Sequence, residues 1–381
     1  MFYTVFSTTD SPYMQWQSEL LEYSWKKVGQ EGDLVRLVAT DDFHNPPQHT
    51  YARSVPTIPR TINPETGDEY VIYNKPASLL EWLYIEQPHG TVLFVDPDCV
   101  FRAPVKRTVA PGFPESQHWI DGQTDKPGKN NPFGLGSKFK FLKKHCADVK
   151  SQAQPIMIPT LIHTSDLKRI CGRWLELCGL IRQGIQIEND FGFWESDMFA
   201  YAVAAAEYGL HHKLSNLGIC TNWPADKMPD TPIIHYCQPI LGTKGEEIWF
   251  KGGYQPWQGI ETSAVPADHY GRELIDLINE FAMQWQEQQQ SGNRPPRRRE
   301  DVLESRVGDE LMLQPMGGKQ GFWLNGSGRL IWELCDGNRT LEQIERELAE
   351  SFDDPKNSLG SDLRATIAQL QEAGVLEAET L

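Results

Sequence analysis

The chain has 381 residues, of which 39% are hydrophobic, and its formal net charge is -16 at pH 7. This length and hydrophobic content predict a globular protein with more than one domain. The acidic charge argues against nonspecific adhesion to nucleic acid or to anionic membranes, because their phosphates repel such a surface.

The N-terminus and the cysteines indicate the compartment. The first residues, MFYTVFSTTDSPYMQWQ, lack the basic start and apolar core of a signal peptide, and no stretch is long enough to span a membrane. We therefore expect a cytoplasmic protein without a membrane partner. The seven cysteines form no CxxC pair that would indicate zinc or redox chemistry, and we expect reduced, mostly buried thiols at Cys99, Cys146, Cys171, Cys178, Cys220, Cys237 and Cys335.

Strand and helix patterns alternate in the first hundred residues. Apolar runs predict strands over 2–8, 33–40 and 91–98, and helical spacing predicts helices over 13–29 and 75–87. This order favours an α/β fold with a mostly parallel sheet, whose ligands bind beyond the carboxyl ends of the strands. The polar residues that fall at such ends are Asp10, Thr40, Asp41, Asp42, Asp96 and Asp98.

The pattern continues to a change of composition. Helices are predicted over 166–183 and 195–210, and a short strand over 232–240. Residues 284–304 combine a glutamine run, a Pro-Pro pair and three arginines, which indicates a linker between a domain of residues 1–283 and a domain of residues 305–381. The arginines could bind phosphate, but a solvated tether is the favoured interpretation.

A pair of carboxylates ends the predicted strand VLFVDPD. Asp96 and Asp98 are oxygen ligands of the kind that Mg²⁺ or Mn²⁺ prefers, and a cation would offset their mutual repulsion. A DxD sequence is also common as a helix cap or a solvated turn, so its place after a buried strand is what favours the metal. His235, at the end of the apolar run TPIIH, is either a third ligand or a core histidine.

Four segments in order resemble the peptidyl serine α-galactosyltransferases and hydroxyproline O-arabinosyltransferases of plants and algae. They are TGDEYVIYNKPASLLEWL, TVLFVDPDCVFRAP, FWESDMFAYAVAAAEYGL and IIHYCQP. The resemblance implies a GT-A fold and a metal-dependent, anomer-retaining transfer of sugar from a nucleotide donor, UDP-linked, to a peptide hydroxyl. It implies that Asp96, Asp98 and His235 bind the metal.

The same resemblance assigns further roles. Asn74, Lys75 and Trp82 match the segment that leads to the metal strand, and we expect Asn74 and Lys75, together with Asp10 at its strand end, to bind the donor. Asp197 matches an acidic residue of the family and is the first candidate for orienting or deprotonating the acceptor hydroxyl, with Glu195 second. Acidic residues in a first helical turn are most often only partners of the helix dipole.

The C-terminal region predicts a small winged-helix-like domain. Two short strands around Gly317 and Gly318 and a third at FWLN precede three helices, the first capped near Asn325 and the second by a capping box of Thr340 and Gln343. Its helices lack the basic face of a DNA reader. The stretch resembles PqqD-like domains, which implies binding of a precursor's leader peptide beside a strand. The predicted contact residues are Phe322, Trp323, Leu324, Leu363, Ile367 and Leu370.

Together the two regions predict a leader-guided peptide glycosyltransferase that uses a divalent cation and a nucleotide sugar. The target would be a Ser, Thr or hydroxyproline hydroxyl of a ribosomally made peptide. Two alternatives stay open: a noncatalytic peptide carrier, and a glycosyltransferase for a small molecule that needs no leader.

Overall fold

The computed structural model describes most of the chain. The described residues are 1–43, 51–118, 153–154, 156–187, 196–221, 230–242, 244–263, 265, 269, 271–290, 295–308, 310–316, 321–351 and 359–377. The chain divides into two compact units, Met1–Ala282 and Met283–Leu381. Among the described residues, no helix combines the length and the apolarity that crossing a bilayer requires.

The first unit is built on a mixed sheet. The strands of the whole unit are β1 (Phe2–Thr9), β2 (Asp33–Ala39), β3 (Arg53–Thr57), β4 (Thr91–Phe94), β5 (Cys99–Phe101), β6 (Glu115–His118), β7 (Ile156–His163), β8 (Lys213–Ser215), β9 (Gly218–Cys220), β10 (Ile233–His235), β11 (Ile240–Leu241) and β12 (Glu247–Trp249). A 7-stranded sheet has the order β3-β2-β1-β4-β7-β6-β8. Strands β3, β2, β1 and β4 are parallel neighbours, and β7 is antiparallel to β4 and β6. The predicted α/β class with a mostly parallel sheet is confirmed.

Helices connect these strands. They are α1 (Pro12–Lys27), α2 (Asn74–Ile85), α3 (Thr164–Ile187) and α4 (Ser196–Glu207). A further helix, α5 (Arg272–Gln290), follows the last strand and continues past Ala282, where the first unit ends. Ser11 caps α1, since its side chain accepts a hydrogen bond from the Met14 backbone, and Pro12 fits the first helical position. Trp82 of α2 and Trp174 of α3 are buried in one apolar cluster with sheet residues such as Val5 and Leu93. This cluster is the main core of the unit.

A small sheet stands beside the large one and positions the site. Its order is β5-β10-β9, in which β10 is antiparallel to β5 and parallel to β9. A second apolar cluster supports it and includes Trp16, Tyr236, Trp249 and Leu274. In the small sheet, β5, which directly follows the DxD, therefore pairs with β10, a strand that comes much later in the sequence.

The second unit contains β13 (Val302–Val307), β14 (Glu310–Pro315) and β15 (Phe322–Leu324), followed by α6 (Gly326–Leu334), α7 (Leu341–Ser351) and α8 (Leu359–Glu372). Its 3-stranded antiparallel sheet has the order β13-β14-β15. The predicted caps are present, because Asn325 accepts from the Gly328 backbone and the Thr340 and Gln343 side chains accept from each other's backbone.

Two sequence expectations about this region need correction. The first two strands do not flank Gly317 and Gly318, which lie outside the described residues; both precede them and join through Gly308, whose φ of +65° suits glycine. The segment 284–304 is not simply a solvated tether. Helix α5 continues to Gln290, and Arg297 and Arg298 form backbone bridges with Asp336 and Leu376.

Candidate active site

The two carboxylates lie at the carboxyl end of β4. The Val95 N–H donates to the Val5 carbonyl and continues the pairing with β1, and the Cys99 N–H then donates to the Asp96 carbonyl at 3.1 Å. The second bond closes a tight turn around Pro97 and Asp98. Because the turn is short, both carboxylates stay at the same edge of the sheet.

His235 reaches the carboxylates through strand register. In the antiparallel pair of β10 and β5, His235 is opposite Cys99, and the Tyr236 N–H donates to the Asp98 carbonyl at 2.9 Å. The His235 Nε2 atom lies 3.1 Å from Asp98 Oδ1 and 3.7 Å from Asp96 Oδ2. The register thus joins residues that are 137 positions apart in sequence.

Two lysines neutralise these carboxylates. Lys75, near the start of α2, places its Nζ 2.9 Å from Asp96 Oδ1 and 2.8 Å from Asp197 Oδ2. Lys251, in a short 3-10 turn after β12, pairs with Asp98. Asp96, Asp98 and Asp197 thus share two ammonium groups in an almost buried setting.

The pKa values follow from this pairing. Burial by itself would raise the pKa of Asp98, but the charges of Lys251 and His235 outweigh it and hold that pKa well below its ordinary range. Burial would lower the pKa of Lys75 and of Lys251, but Asp197 and Asp96 raise the first and Asp98 raises the second. Asp98, Lys75 and Lys251 are therefore charged at neutral pH.

The cluster has the donor atoms that a hard divalent cation needs. The ligand atoms of Asp96, Asp98 and His235 lie within 4.8 Å of one another. Carboxylate oxygens with one imidazole nitrogen suit Mn²⁺ or Mg²⁺. The arrangement can therefore hold a hard divalent cation at this edge of the sheet.

Asp197 belongs to the same cluster, but not as an exposed base. It is only 2% exposed, its Oδ2 accepts from Lys75, and its Oδ1 accepts from the Tyr70 hydroxyl at 3.3 Å. In this structure the carboxylate accepts hydrogen bonds from Lys75 and Tyr70, and its contact with an acceptor hydroxyl stays a prediction. Glu195, the second candidate, lies outside the described residues.

The three residues expected to bind the donor differ in burial and in their contacts. Asn74 is buried, its Oδ1 accepts from the Arg60 N–H at 2.5 Å, and its Nδ2 has no hydrogen-bond partner in the described chain. Asp10 is exposed at the carboxyl end of β1. Of the three, the structure brings only Lys75 into direct contact with the carboxylates.

The predicted peptide-binding residues separate into surface and core. Trp323 is 52% exposed and Phe322 is half-buried on β15, an edge strand among the described residues. The other four are buried in the core of the second unit, and their contact with a peptide stays a prediction; they are Leu324, Leu363, Ile367 and Leu370.

Sequence reasoning missed Lys251 and Tyr70. Lys251 lies 153 positions after Asp98, and no spacing rule connects the two residues. Tyr70 belongs to the segment GDEYVIYNK, which resembles the family, but no local pattern marks this tyrosine as a site residue. Only the tertiary contact with Asp197 reveals its part in the site.

Comparison with known families covers both units. Residues 2–214 match the model of the hydroxyproline O-arabinosyltransferase family N-terminal domain, and residues 310–376 match that of coenzyme PQQ synthesis protein D. The second region is therefore a PqqD domain.

Individual relatives agree with the first match. The chain is 26% identical over 241 residues to hydroxyproline O-arabinosyltransferase NOD3 of Pisum sativum, covering 62% of this chain and 69% of that protein. It is 28% identical over 254 residues to a peptidyl serine alpha-galactosyltransferase of Arabidopsis thaliana, covering 62% of this chain but only 30% of that protein. A solved structure, TbiB1 in complex with the TbiA(beta) leader peptide, is 24% identical, covers 22% of this chain and 95% of that one, and has a TM-score of 0.20.

Proposed function

We propose, from the premise that the chain belongs to the hydroxyproline O-arabinosyltransferase family, that it is a leader-guided glycosyltransferase of ribosomally made peptides. It transfers a sugar from a nucleotide donor, UDP-linked, to a Ser, Thr or hydroxyproline hydroxyl, with retention at the anomeric carbon. The observation that carries the proposal is the convergence of Asp96, Asp98 and His235 with two lysines at one sheet edge.

The first unit would supply the chemistry. A mostly parallel sheet with a DxD after a central strand supports a GT-A fold, whose donor lies beyond the strand ends. Asp96, Asp98 and His235 would hold Mn²⁺ or Mg²⁺. When bound, the cation supplies Lewis acidity toward the diphosphate leaving group.

The lysines would assist the same leaving group. Lys75 and Lys251 are held beside Asp96 and Asp98, at the point where the diphosphate charge would accumulate. Each ammonium can donate to a phosphate oxygen while it keeps a carboxylate contact, since an ammonium has three donors. Asp197 and Tyr70 would act through Lys75, as positioning residues that fix its direction.

The second unit would supply substrate affinity. A PqqD domain beside a transferase domain supports recognition of a leader peptide. An extended leader can pair with the edge of β15 and cover Trp323, because an edge strand offers unpaired backbone groups. The strand-rich start and three helices support the winged-helix-like description.

The test is direct transfer. The full chain, a candidate precursor peptide and a panel of nucleotide sugars are incubated with Mn²⁺ and analysed by mass spectrometry. We expect the precursor to gain the mass of one glycosyl unit, and we expect excess chelator to abolish the gain. Equal transfer by the Asp96→Ala/Asp98→Ala variant would overturn the metal assignment, and equal transfer to a small hydroxylated acceptor would favour the small-molecule alternative.

A further inference from the structure

Two cysteine thiols lie beside His235. In the parallel pair of β9 and β10, Cys220 is the register partner of His235, so their side chains are neighbours on one face. Cys237 follows His235 by two positions, and its Sγ lies 3.6 Å from the Sγ of Cys220. The Thr221 hydroxyl donates to the Gln238 carbonyl and ties the two chain segments together just beyond the thiols.

The sulfur separation matches that of a metal site. Two sulfur ligands about 2.3 Å from one tetrahedral Zn²⁺ lie about 3.8 Å apart, whereas the sulfurs of a disulfide are about 2.05 Å apart. The observed 3.6 Å is close to the first value. The thiols therefore already have the spacing that a bridging cation requires.

The imidazole supplies a third ligand atom. The ligand atoms of Cys220, Cys237 and His235 lie within 4.8 Å of one another. His235 is 4% exposed, and its buried Nδ1 has no hydrogen bond of regular geometry in the described chain, although the Cys237 side chain is close enough to interact with the ring. A ring nitrogen without a regular hydrogen bond is unfavourable to bury, and a cation between it and the thiols would satisfy it.

We propose that Cys220, Cys237 and His235 Nδ1 form a second metal site, one for a soft divalent cation such as Zn²⁺. Thiolate and imidazole ligands select zinc over Mg²⁺, which prefers oxygen. Binding releases to solvent the two thiol protons and the Nδ1 proton of the charged His235 ring, so that the charge of the cation is balanced by two thiolates. Three protein ligands leave a fourth position for water.

The second site is coupled to the first through one ring. A neutral imidazole has a single free lone pair, so His235 can ligate a cation through Nε2 toward Asp98 or through Nδ1 toward the thiols, but not through both. Zinc in the thiol site therefore removes one ligand from the carboxylate site and weakens Mn²⁺ binding there. This coupling rests on the proposed function, whereas the thiol site itself does not.

Cobalt titration tests the thiol site without any transfer assay. The intact chain, reduced and kept anaerobic, is titrated with Co²⁺, which reports thiolate ligands by a near-ultraviolet charge-transfer band. We expect the band to saturate at one equivalent and to disappear when Zn²⁺ is added. It should be absent in Cys220→Ser and in Cys237→Ser, and intact in Cys171→Ala, a buried cysteine of α3 that lies in neither ligand group.

Mn²⁺ binding tests the coupling. One equivalent of Zn²⁺ should weaken Mn²⁺ binding, measured by electron paramagnetic resonance, by about tenfold, within the usual range of coupling between two sites. In the Cys220→Ser/Cys237→Ser variant, whose fold is checked by near-ultraviolet circular dichroism, Zn²⁺ at that ratio should have no such effect. A cobalt band that is missing from the wild type, or that survives in the double variant, overturns the proposal. If the cobalt band appears but Zn²⁺ leaves the Mn²⁺ affinity unchanged, the thiol site stands and only the coupling is overturned. If sugar transfer fails, the proposed function is overturned, but the cobalt test of the thiol site is not affected.

Discussion

The candidate active site of the first unit consists of buried charged groups, whereas the exposed edge of the second unit presents an apolar side chain. In the first unit, carboxylates and ammonium groups are almost buried and neutralise one another. In the second, the core is apolar and the exposed feature is an aromatic side chain on a short strand. Charge removed from water is suited to stabilising a leaving group, while an edge strand with an apolar side chain is suited to binding a peptide.

The same difference predicts how mutations in each region affect stability and activity. A buried charge network tolerates the loss of a partner poorly, because about 3–5 kcal/mol of stability is lost when one charge is left unpaired. An exposed tryptophan contributes little to folding. Mutations at the active site should therefore affect chemistry and stability together, and mutations at the edge should affect binding alone.

The largest effect is expected from Asp98→Asn. The change removes a metal ligand and the partner of Lys251, so transfer should fall by more than about 10²-fold, since even residues that only orient metal ligands are worth 10- to 100-fold. Initial rates from mass spectrometry at saturating Mn²⁺ measure it. Asp41→Asn, which alters an exposed carboxylate after β2, is the matched control and should stay within about twofold of wild type. If Asp98→Asn kept a tenth or more of the wild-type rate of transfer, the proposed role of Asp98 as a metal ligand would be contradicted.

Removal of the second unit should have the next largest effect. A chain that ends at Gln290, the last residue of α5, keeps the candidate active site but loses the PqqD domain. The apparent KM for full-length precursor should rise by about 10²-fold, because tethered delivery is lost, while kcat changes little. Steady-state kinetics measure both quantities. A leaderless peptide should be modified equally by the two enzymes, and an unchanged KM for full-length precursor would exclude leader guidance.

The edge and the core of the second unit should respond differently. Trp323→Ala should weaken leader binding by about tenfold while the unfolding free energy stays nearly constant, because an exposed aromatic anchor acts mainly on binding. Leu370→Ala should lower the unfolding free energy by about 2–5 kcal/mol, because this side chain is fully buried. Calorimetry with a leader peptide and denaturant unfolding separate the two. Met316→Ala, an exposed apolar control, should change neither, and loss of stability in Trp323→Ala would show that Trp323 is structural.

The smallest effect concerns pH. Burial lowers the pKa of His212 to about 3, so this histidine stays neutral in the folded chain while the unfolded chain binds a proton below pH of about 6.5. The contribution of His212 to the unfolding free energy, measured as the difference between wild type and His212→Gln, should therefore fall as the pH drops below that point, by about 1 kcal/mol at pH 5.5. Denaturant unfolding between pH 8 and pH 5 measures the slope of the unfolding free energy against pH.

The histidines allow this slope to be assigned. His212→Gln should flatten it, and His211→Gln, its exposed neighbour, should leave it unchanged. The sequence has no histidine after His269, so the slope should belong to the first unit. An equal slope in both variants would place the responsible group elsewhere.

Several elements were predictable because local patterns agree with the fold. The apolar runs of β1 and β2 and the helical spacing of α1 and α2 gave the correct order, and Thr340 with Gln343 marked the start of α7. Strand β7 was not predicted, although all eight of its residues are buried. Pro159 interrupts its pattern, and the structure places it at a shift in register against β6, where proline is tolerated.

The sequence by itself determined the carboxylate pair, the strand before it and the family resemblance, because these depend on neighbours in the chain. Only the tertiary structure decided which side chains share the site. Strand register brings His235 to Asp98 and Cys220 to His235, and the turn after β12 brings Lys251. It also decided that Leu370 lies in the core and Trp323 at the surface. The reason is physical: charge neutralisation and burial depend on distances through space, and separation along the chain does not set those distances.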